Sequence, residues 1–287
     1  MPSVIGRAVT SDGIGLRTRH WRARDPWASA LLVHGLGEHS GRYEHVGDHL
    51  AAAGIDTHAY DHRGNGASDG RSGDIDRWSL YHEDLEERLT DLTASADGRP
   101  VVLYAHSMGA LVAAGYLLDD RPRPAMTVLS APGLDSTLAG WKKALAPLVG
   151  RLYPTLTWPT GIGMETLSRD PEVGRRVLAD PLNVRVGTAR FAAEAGREQA
   201  RVRAHAREIG GPTLVIHGLD DRLVPAAASA IFEDVPGVER WTYPGLRHEM
   251  HNEPEWQQVL DDVIGWLRER ARLPGQPNTA SGERLER

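Results

Sequence analysis

Residues 101–109 read VVLYAHSMG, an apolar run from Val101 to Tyr104 that breaks into a turn at Ser107. Beyond Met108 the chain continues as GALVAAGYLL, apolar enough to be a buried helix. Ser107 has a small residue two positions to either side, Ala105 and Gly109, where a strand and a helix pass closely around a tight turn. This is the G-x-S-x-G pattern of a nucleophilic serine with one departure, alanine for the first glycine, which adds a single methyl group. A serine at such a junction more commonly caps the helix. The residues that the rest of the chain can bring to it decide between the two roles.

The runs Ala28–Val33, Ile55–Tyr60, Met126–Leu129 and Thr213–Ile216 are equally short and apolar, and each closes in a Gly, Pro, His or Asp turn. Between them lie helical patterns such as Leu80, Leu85, Leu89 and Leu92. That alternation predicts an α/β fold with a mostly parallel central sheet flanked by helices. From Gly140 to Glu208 no strand pattern is evident, and Leu145, Leu148, Leu152, Tyr153, Leu156 and Trp158 are interspersed with Pro147, Pro154 and Pro159. A helical cap inserted above the sheet is expected there. The division is then a core of 1–138 and 209–272, a cap of 139–208, and a polar tail of 273–287 expected to be disordered. The cap holds twelve basic against seven acidic side chains, although the whole chain of 287 residues carries −6.

With no cysteine, disulfides, thiol nucleophiles and cysteine metal sites are excluded, and chemistry must come from Ser, His and carboxylates. No basic stripe marks a nucleic-acid partner. The N-terminal MPSVIGRAVTSDG lacks the basic stretch followed by an apolar run that a signal peptide needs, and no run approaches the ~20 apolar residues of a membrane span. A cytoplasmic protein is expected.

A nucleophilic serine needs a base, a carboxylate that holds the base, and N–H groups aimed at the developing oxyanion. Asp220 and Asp221 sit in the HGLDDRLVP turn after the strand at 213–216, and His248 and His251 in PGLRHEMHNE after an extended ERWTY. The chain order Ser, Asp, His, with every member at a strand end, is that of one known hydrolytic architecture. The N–H groups of Leu36, in VHGLGEHSGRY, and of Met108 can form the oxyanion hole. Competing readings are weaker. Gly35, Gly37 and Gly41 are spaced one residue too long for a dinucleotide loop, and DHRGNGASDG lacks the lysine of a phosphate loop. His45 and His49 lack the glutamate of a zincin motif, and the histidines of HEMH are three apart, so no metal is expected.

Taken together, HGLGEHSGRYEHV, DHRGNGASDG, AHSMG, HGLDDRLVP and HEMHNE resemble the monoacylglycerol lipases and lysophospholipase-like esterases of the α/β-hydrolase superfamily. The likeness covers nearly the whole chain, including METLSRDPEV and ADPL of the cap. It implies an α/β-hydrolase fold, a triad of Ser107, Asp221 and His248, and oxyanion donors at Leu36 and Met108. It also places Glu38, Arg42 and His251 at the glycerol end of the substrate and gives Asp61 and Arg63 a loop-pinning role. The implied reaction cleaves a monoacylglycerol to fatty acid and glycerol through an acyl-enzyme, without cofactor or metal. Ala105 and the absence of cysteines that some relatives carry in the cap depart from the pattern. Lysophospholipids, short-chain esters and small peptides with a free amine are alternative substrates. A non-catalytic binding protein is the alternative of another class, which a missing triad residue would signal, and none is missing. The cap's Leu145, Leu148, Val149, Leu152 and Leu156 have helical spacing, suited to packing on the core or to lining an acyl tunnel and docking on lipid. Oligomeric state is left open.

Overall fold

A strand buried on both faces carries apolar residues without alternation, and β3 (Ala28–Val33) and β5 (Val101–His106) are buried at every residue. The computed structural model describes residues 2–135 and 140–271, and the side chains of all of these except 140–144. The expected boundary at 138/139 and the tail of 273–287 lie outside the described residues. Together with β1 (Val4–Val9), β2 (Gly15–Trp21), β4 (Ile55–Tyr60), β6 (Met126–Ser130), β9 (Thr213–Gly218) and β10 (Val238–Tyr243), these strands form an eight-stranded sheet in the order β1-β2-β4-β3-β5-β6-β9-β10. The six from β4 to β10 run parallel to one another, and β2 runs antiparallel to both of its neighbours, β4 and β1.

The pleat sends alternate residues of each strand into two cores. On one face Leu31, Val33, Leu103, Ala105 and Leu129 meet α2 (Ser79–Ser95) and α3 (Met108–Leu117) through Leu85, Leu89, Leu111 and Val112. On the other, Leu32, Val102, Tyr104, Val128 and Leu214 meet α1 (Glu44–Ala52) and the last helix, Trp256–Ala271, through Val46, Leu50, Val263 and Trp266. All ten residues of α3 are buried, as an all-apolar helix requires. β1 and β2 escape the periodicity reading because they form an edge hairpin, with β1 exposed along most of its length and Arg17, Arg19 and His20 in β2.

The chain between β6 and β9 holds the expected helices α4 (Gly140–Leu152), α5 (Pro171–Ala179) and α6 (Ala189–His205), so the last helix is α7. Asp170 caps α5, its carboxylate accepting the Glu172 N–H at 2.9 Å ahead of Pro171 in the first turn, and Thr188 caps α6 through the Phe191 N–H at 3.1 Å. Contrary to the strandless reading of this region, β7 (Thr157–Pro159) and β8 (Val186–Thr188) pair antiparallel. Three residues are too few to show a period in the sequence.

This insertion is tied to the loops at the carboxyl ends of the strands. Val184 N–H donates to Gly37 O at 2.9 Å, Thr188 N–H to Gly73 O at 2.9 Å, and Thr188 Oγ1 to Asp74 Oδ1 at 2.6 Å. Gly37 has φ +72°, and a Cβ there would stand 2.3 Å from Val184 O, so the docking needs glycine. Beneath it, Asp61 accepts the N–H groups of Ser40 (2.8 Å) and Ala67 (2.9 Å), and Arg63 pairs with Asp84 and Asp12. The 61–70 turn thus pins its neighbours, as the family likeness implied. No helix among the described residues is long and apolar enough to cross a membrane.

Candidate active site

Ser107 stands between β5 and α3 with φ +51° and ψ −115°, a backbone conformation unfavourable for any residue but glycine. The turn is held from every side. Ser107 N–H donates to Ser130 O, and Ser107 O accepts from Leu111 and Gly133 N–H, all within 2.9 to 3.0 Å. Gly109 lies against β3 so closely that a Cβ would be 2.5 Å from the carbonyl oxygens of Val33 and His34. Ala105, at the other small position, is buried within the core and fits. The side chain of Ser107 makes no capping bond to α3. Its Oγ lies instead 2.9 Å from His248 Nε2.

His248 Nδ1 is 2.7 Å from Asp221 Oδ2. An ionised carboxylate only accepts, so Nδ1 carries the proton of the neutral imidazole and Nε2 is left to accept from the Ser107 hydroxyl. The second oxygen, Asp221 Oδ1, accepts the N–H groups of Leu223 (2.8 Å) and Val224 (2.9 Å), and His217 Nε2 lies 3.1 Å from Oδ2. Burial opposes the charge on Asp221, but His248, His217 and these amides hold its carboxyl well below the usual range. Asp220, the neighbour that residue reading alone left equal, is exposed. For His248, burial disfavours the imidazolium, while the charge and hydrogen bond of Asp221 outweigh it and raise the pKa.

The other residues singled out by the sequence gather around this chain. Gly35 packs on Ser107, a Cβ on it standing 3.1 Å from Ser107 Cβ, and so brings the Leu36 loop alongside the serine. Met108 is the first residue of α3, where helix N–H groups have no intrahelical acceptor. Glu38 is buried and accepts from Gly35 N–H, from Tyr43 Oη at 2.7 Å and from Arg42 Nη1 at 2.8 Å. Burial opposes its charge, yet Arg42 and the neighbouring histidines hold its pKa at about 2. His251 is also buried, stacked on Tyr43 at 4.6 Å and edge-on to His106 at 4.7 Å, and neither of its ring nitrogens has a hydrogen-bond partner. Burial above all, with the neighbouring His106 and His45 and the Arg42 guanidinium, pushes its pKa well below 6.5.

Two participants escape the sequence reading. Glu249, next to His248, is buried and receives a bidentate pair from Arg42 at 2.7 and 2.8 Å. The Arg42 guanidinium therefore joins the loop of Gly35 and Glu38 to the loop of His248. No local pattern announces it, because the partners are 207 residues apart. His217 also went unremarked, although it stands four residues before Asp221.

A cavity of about 250 Å³ is lined by Leu36, Ile162, Met164, Leu167 and Val177, with Arg42 and Glu249 at its polar side. A larger, more polar cleft of about 620 Å³ also touches Arg42, and neither cavity is lined by Ser107, Asp221 or His248 themselves. The smaller one, which meets the Leu36 loop, is the better candidate for a reacting molecule. Among the described residues, the group with metal-ligand spacing is His20, Asp56 and His58, away from this site.

If Asp221 is what raises His248, the imidazole of the native chain titrates above the ordinary 6.5 in an NMR pH series, and in Asp221→Asn burial prevails and the value falls below it. An unchanged value in the variant contradicts this electrostatic assignment.

The family model for serine aminopeptidases, S33 (Hydrolase_4), matches residues 24–255. The monoacylglycerol lipase of Mycolicibacterium smegmatis is 33% identical over 252 residues, covering 85% of this chain and 89% of that protein. The crystal structure of Paleococcus ferrophilus monoacylglycerol lipase superposes with a TM-score of 0.81 at 28% identity, over 89% of this chain and 99% of its own. A soluble variant of the Saccharomyces cerevisiae monoglyceride lipase, solved with a substrate analogue, shares the fold with a TM-score of 0.86 at 22% identity, over 95% and 97% of the two chains. The chain belongs to the serine aminopeptidase S33 family of the α/β-hydrolases.

Proposed function

We propose that the protein is a serine ester hydrolase that cleaves monoacylglycerols to fatty acid and glycerol. The observation that carries the reading is the unbroken chain from Ser107 Oγ through His248 to Asp221 on a strained turn, and a mostly apolar cavity reaches Leu36 and Glu249 of the adjoining loops. The names of the relatives in M. smegmatis and P. ferrophilus supply the substrate class. His248 Nε2 takes the Ser107 proton as Oγ attacks the ester carbonyl carbon, and the carbonyl electron pair moves onto oxygen. The N–H groups of Leu36 and Met108 hold that oxyanion. As the carbonyl re-forms, the C–O bond to glycerol breaks and His248 returns the proton to the leaving oxygen. Water then attacks the acyl-enzyme with His248 as base, which releases the fatty acid and restores Ser107. Asp221 stays ionised, fixing the tautomer and stabilising the imidazolium.

Residues 139–208 act in this reading as a cap over the acyl chain, with Ile162, Met164, Leu167 and Val177 in its path. Glu38, Arg42 and His251 act at the glycerol end. The unpartnered nitrogens of His251 are suited to glycerol hydroxyls, while Glu38 and Arg42 shape the polar wall. Leu145, Leu148, Leu152, Tyr153 and Leu156 are exposed on the cap, and together with its basic excess they suit peripheral contact of a cytoplasmic enzyme with an anionic lipid surface.

Two experiments test these points. Glu38→Ala should slow hydrolysis of a monoacylglycerol by roughly tenfold or more relative to its effect on the methyl ester of the same acid, because only the former presents hydroxyls to the polar wall. Equal losses on both esters would make Glu38 a purely structural residue. In co-sedimentation, binding to vesicles should rise with anionic lipid, weaken with salt, and drop in a Leu148→Ser, Leu152→Ser variant that still cleaves a soluble short-chain ester. Failure of the native chain to sediment with any vesicle would remove lipid docking from the account of the cap.

A further inference from the structure

Outside the active site, the antiparallel pairing of β2 with β4 sets His20 directly opposite His58, and Asp56, two residues earlier in β4, shares that face of the sheet. Their side chains converge. His20 Nε2 and His58 Nε2 lie 2.9 and 3.1 Å from the same atom, Asp56 Oδ2, and the two rings stack at 3.9 Å with 19° between their planes. All three donor atoms fall within 4.8 Å of one another, and no other group of three or more His or carboxylate donors among the described residues does so.

We propose that His20, Asp56 and His58 form a binding site for a divalent transition-metal ion, zinc foremost. Zinc held by imidazole nitrogens at about 2.0–2.1 Å and a carboxylate oxygen at about 2.0–2.2 Å keeps neighbouring donors about 3.3 Å apart in a tetrahedron. The spacings of 2.9 and 3.1 Å from Asp56 Oδ2 come within a few tenths of an ångström of that, and the two part-exposed imidazoles, stacked here with nearly parallel planes, swing out of the stack so that both Nε2 lone pairs converge on the ion that replaces the hydrogen bonds. The carboxylate is oriented from behind, Asp56 Oδ1 accepting the Ala23 N–H at 3.0 Å, in the manner of outer-shell partners that hold metal ligands in place. The three side chains are 17 to 32% exposed, which leaves a path for the ion and space for water as a fourth ligand. Two imidazoles favour zinc, copper, nickel or cobalt over magnesium and calcium. The bound ion links the antiparallel edge of the sheet to its parallel body and shares no residue with the site around Ser107. The donors come from two strands 36 residues apart in sequence, so no spacing motif could announce them.

The test titrates ZnCl2 into the full chain, freed of any histidine tag and of metal, by calorimetry and by thermal unfolding. One equivalent of zinc should bind and raise the unfolding midpoint, while MgCl2 should do neither, since only a ligand that prefers the native state stabilises it. His20→Gln and His58→Gln should each weaken zinc binding roughly tenfold or more and abolish the midpoint rise, with unaltered turnover of a soluble ester. A His20→Gln, His58→Gln double variant that binds zinc as tightly as the native chain overturns the proposal, as does the absence of saturable zinc binding to the native chain. Should a variant not fold, the native chain still decides by NMR. The imidazole signals of His20 and His58 should move with the first equivalent of zinc, and their standing still while zinc binds contradicts the site.

Discussion

The conformation of Ser107 is the constraint around which the molecule is arranged. A non-glycine residue at φ +51° costs on the order of 1–3 kcal/mol and persists only where its surroundings permit no other path. Here the strand that leads in and the helix that leads out are both buried at every residue, so neither can shift to relieve the turn. Close contact of Gly109 with the end of β3 fixes the helix start, and the backbone bonds to Ser130, Leu111 and Gly133 fix the turn. The strain leaves the hydroxyl facing His248 rather than the amides of its own helix.

The partners of Ser107 arrive on loops, and loops need their own restraint. Asp221 is fixed by two amides and His217, and a buried ion-pair chain runs from Glu38 through Arg42 to Glu249 across two loops. Buried pairs of this kind contribute little net stability, yet removing one partner costs about 3–5 kcal/mol because the other charge is stranded. Their value here is positional: the same guanidinium sets the loop of Gly35 and Leu36 and the residue next to His248. Burial supplies the low dielectric in which the Asp221–His248 interaction outweighs the desolvation of the imidazole.

What was legible in the sequence follows from where each element lies. The central strands announced themselves as continuous apolar runs because both their faces are covered. The hairpin of β1 and β2 did not, because an exposed edge tolerates Arg7, Arg17 and Arg19. Ser107, the histidine loop and the aspartate turn could be read because each sits where a strand ends. The choice of Asp221 over Asp220 needed the family likeness, since both occupy the same turn and only folding exposes one and buries the other. Glu249 and the trio of His20, Asp56 and His58 were illegible because their chemistry exists only after distant segments meet.

Everything proposed for the reaction rests on Ser107 being the nucleophile, and a covalent probe addresses that directly. A fluorophosphonate reacted with the native chain, followed by peptide mass spectrometry, should place one adduct on Ser107 and extinguish ester hydrolysis in proportion to the fraction labelled. An adduct on another residue, or full hydrolytic activity with Ser107 completely modified, would contradict the mechanism.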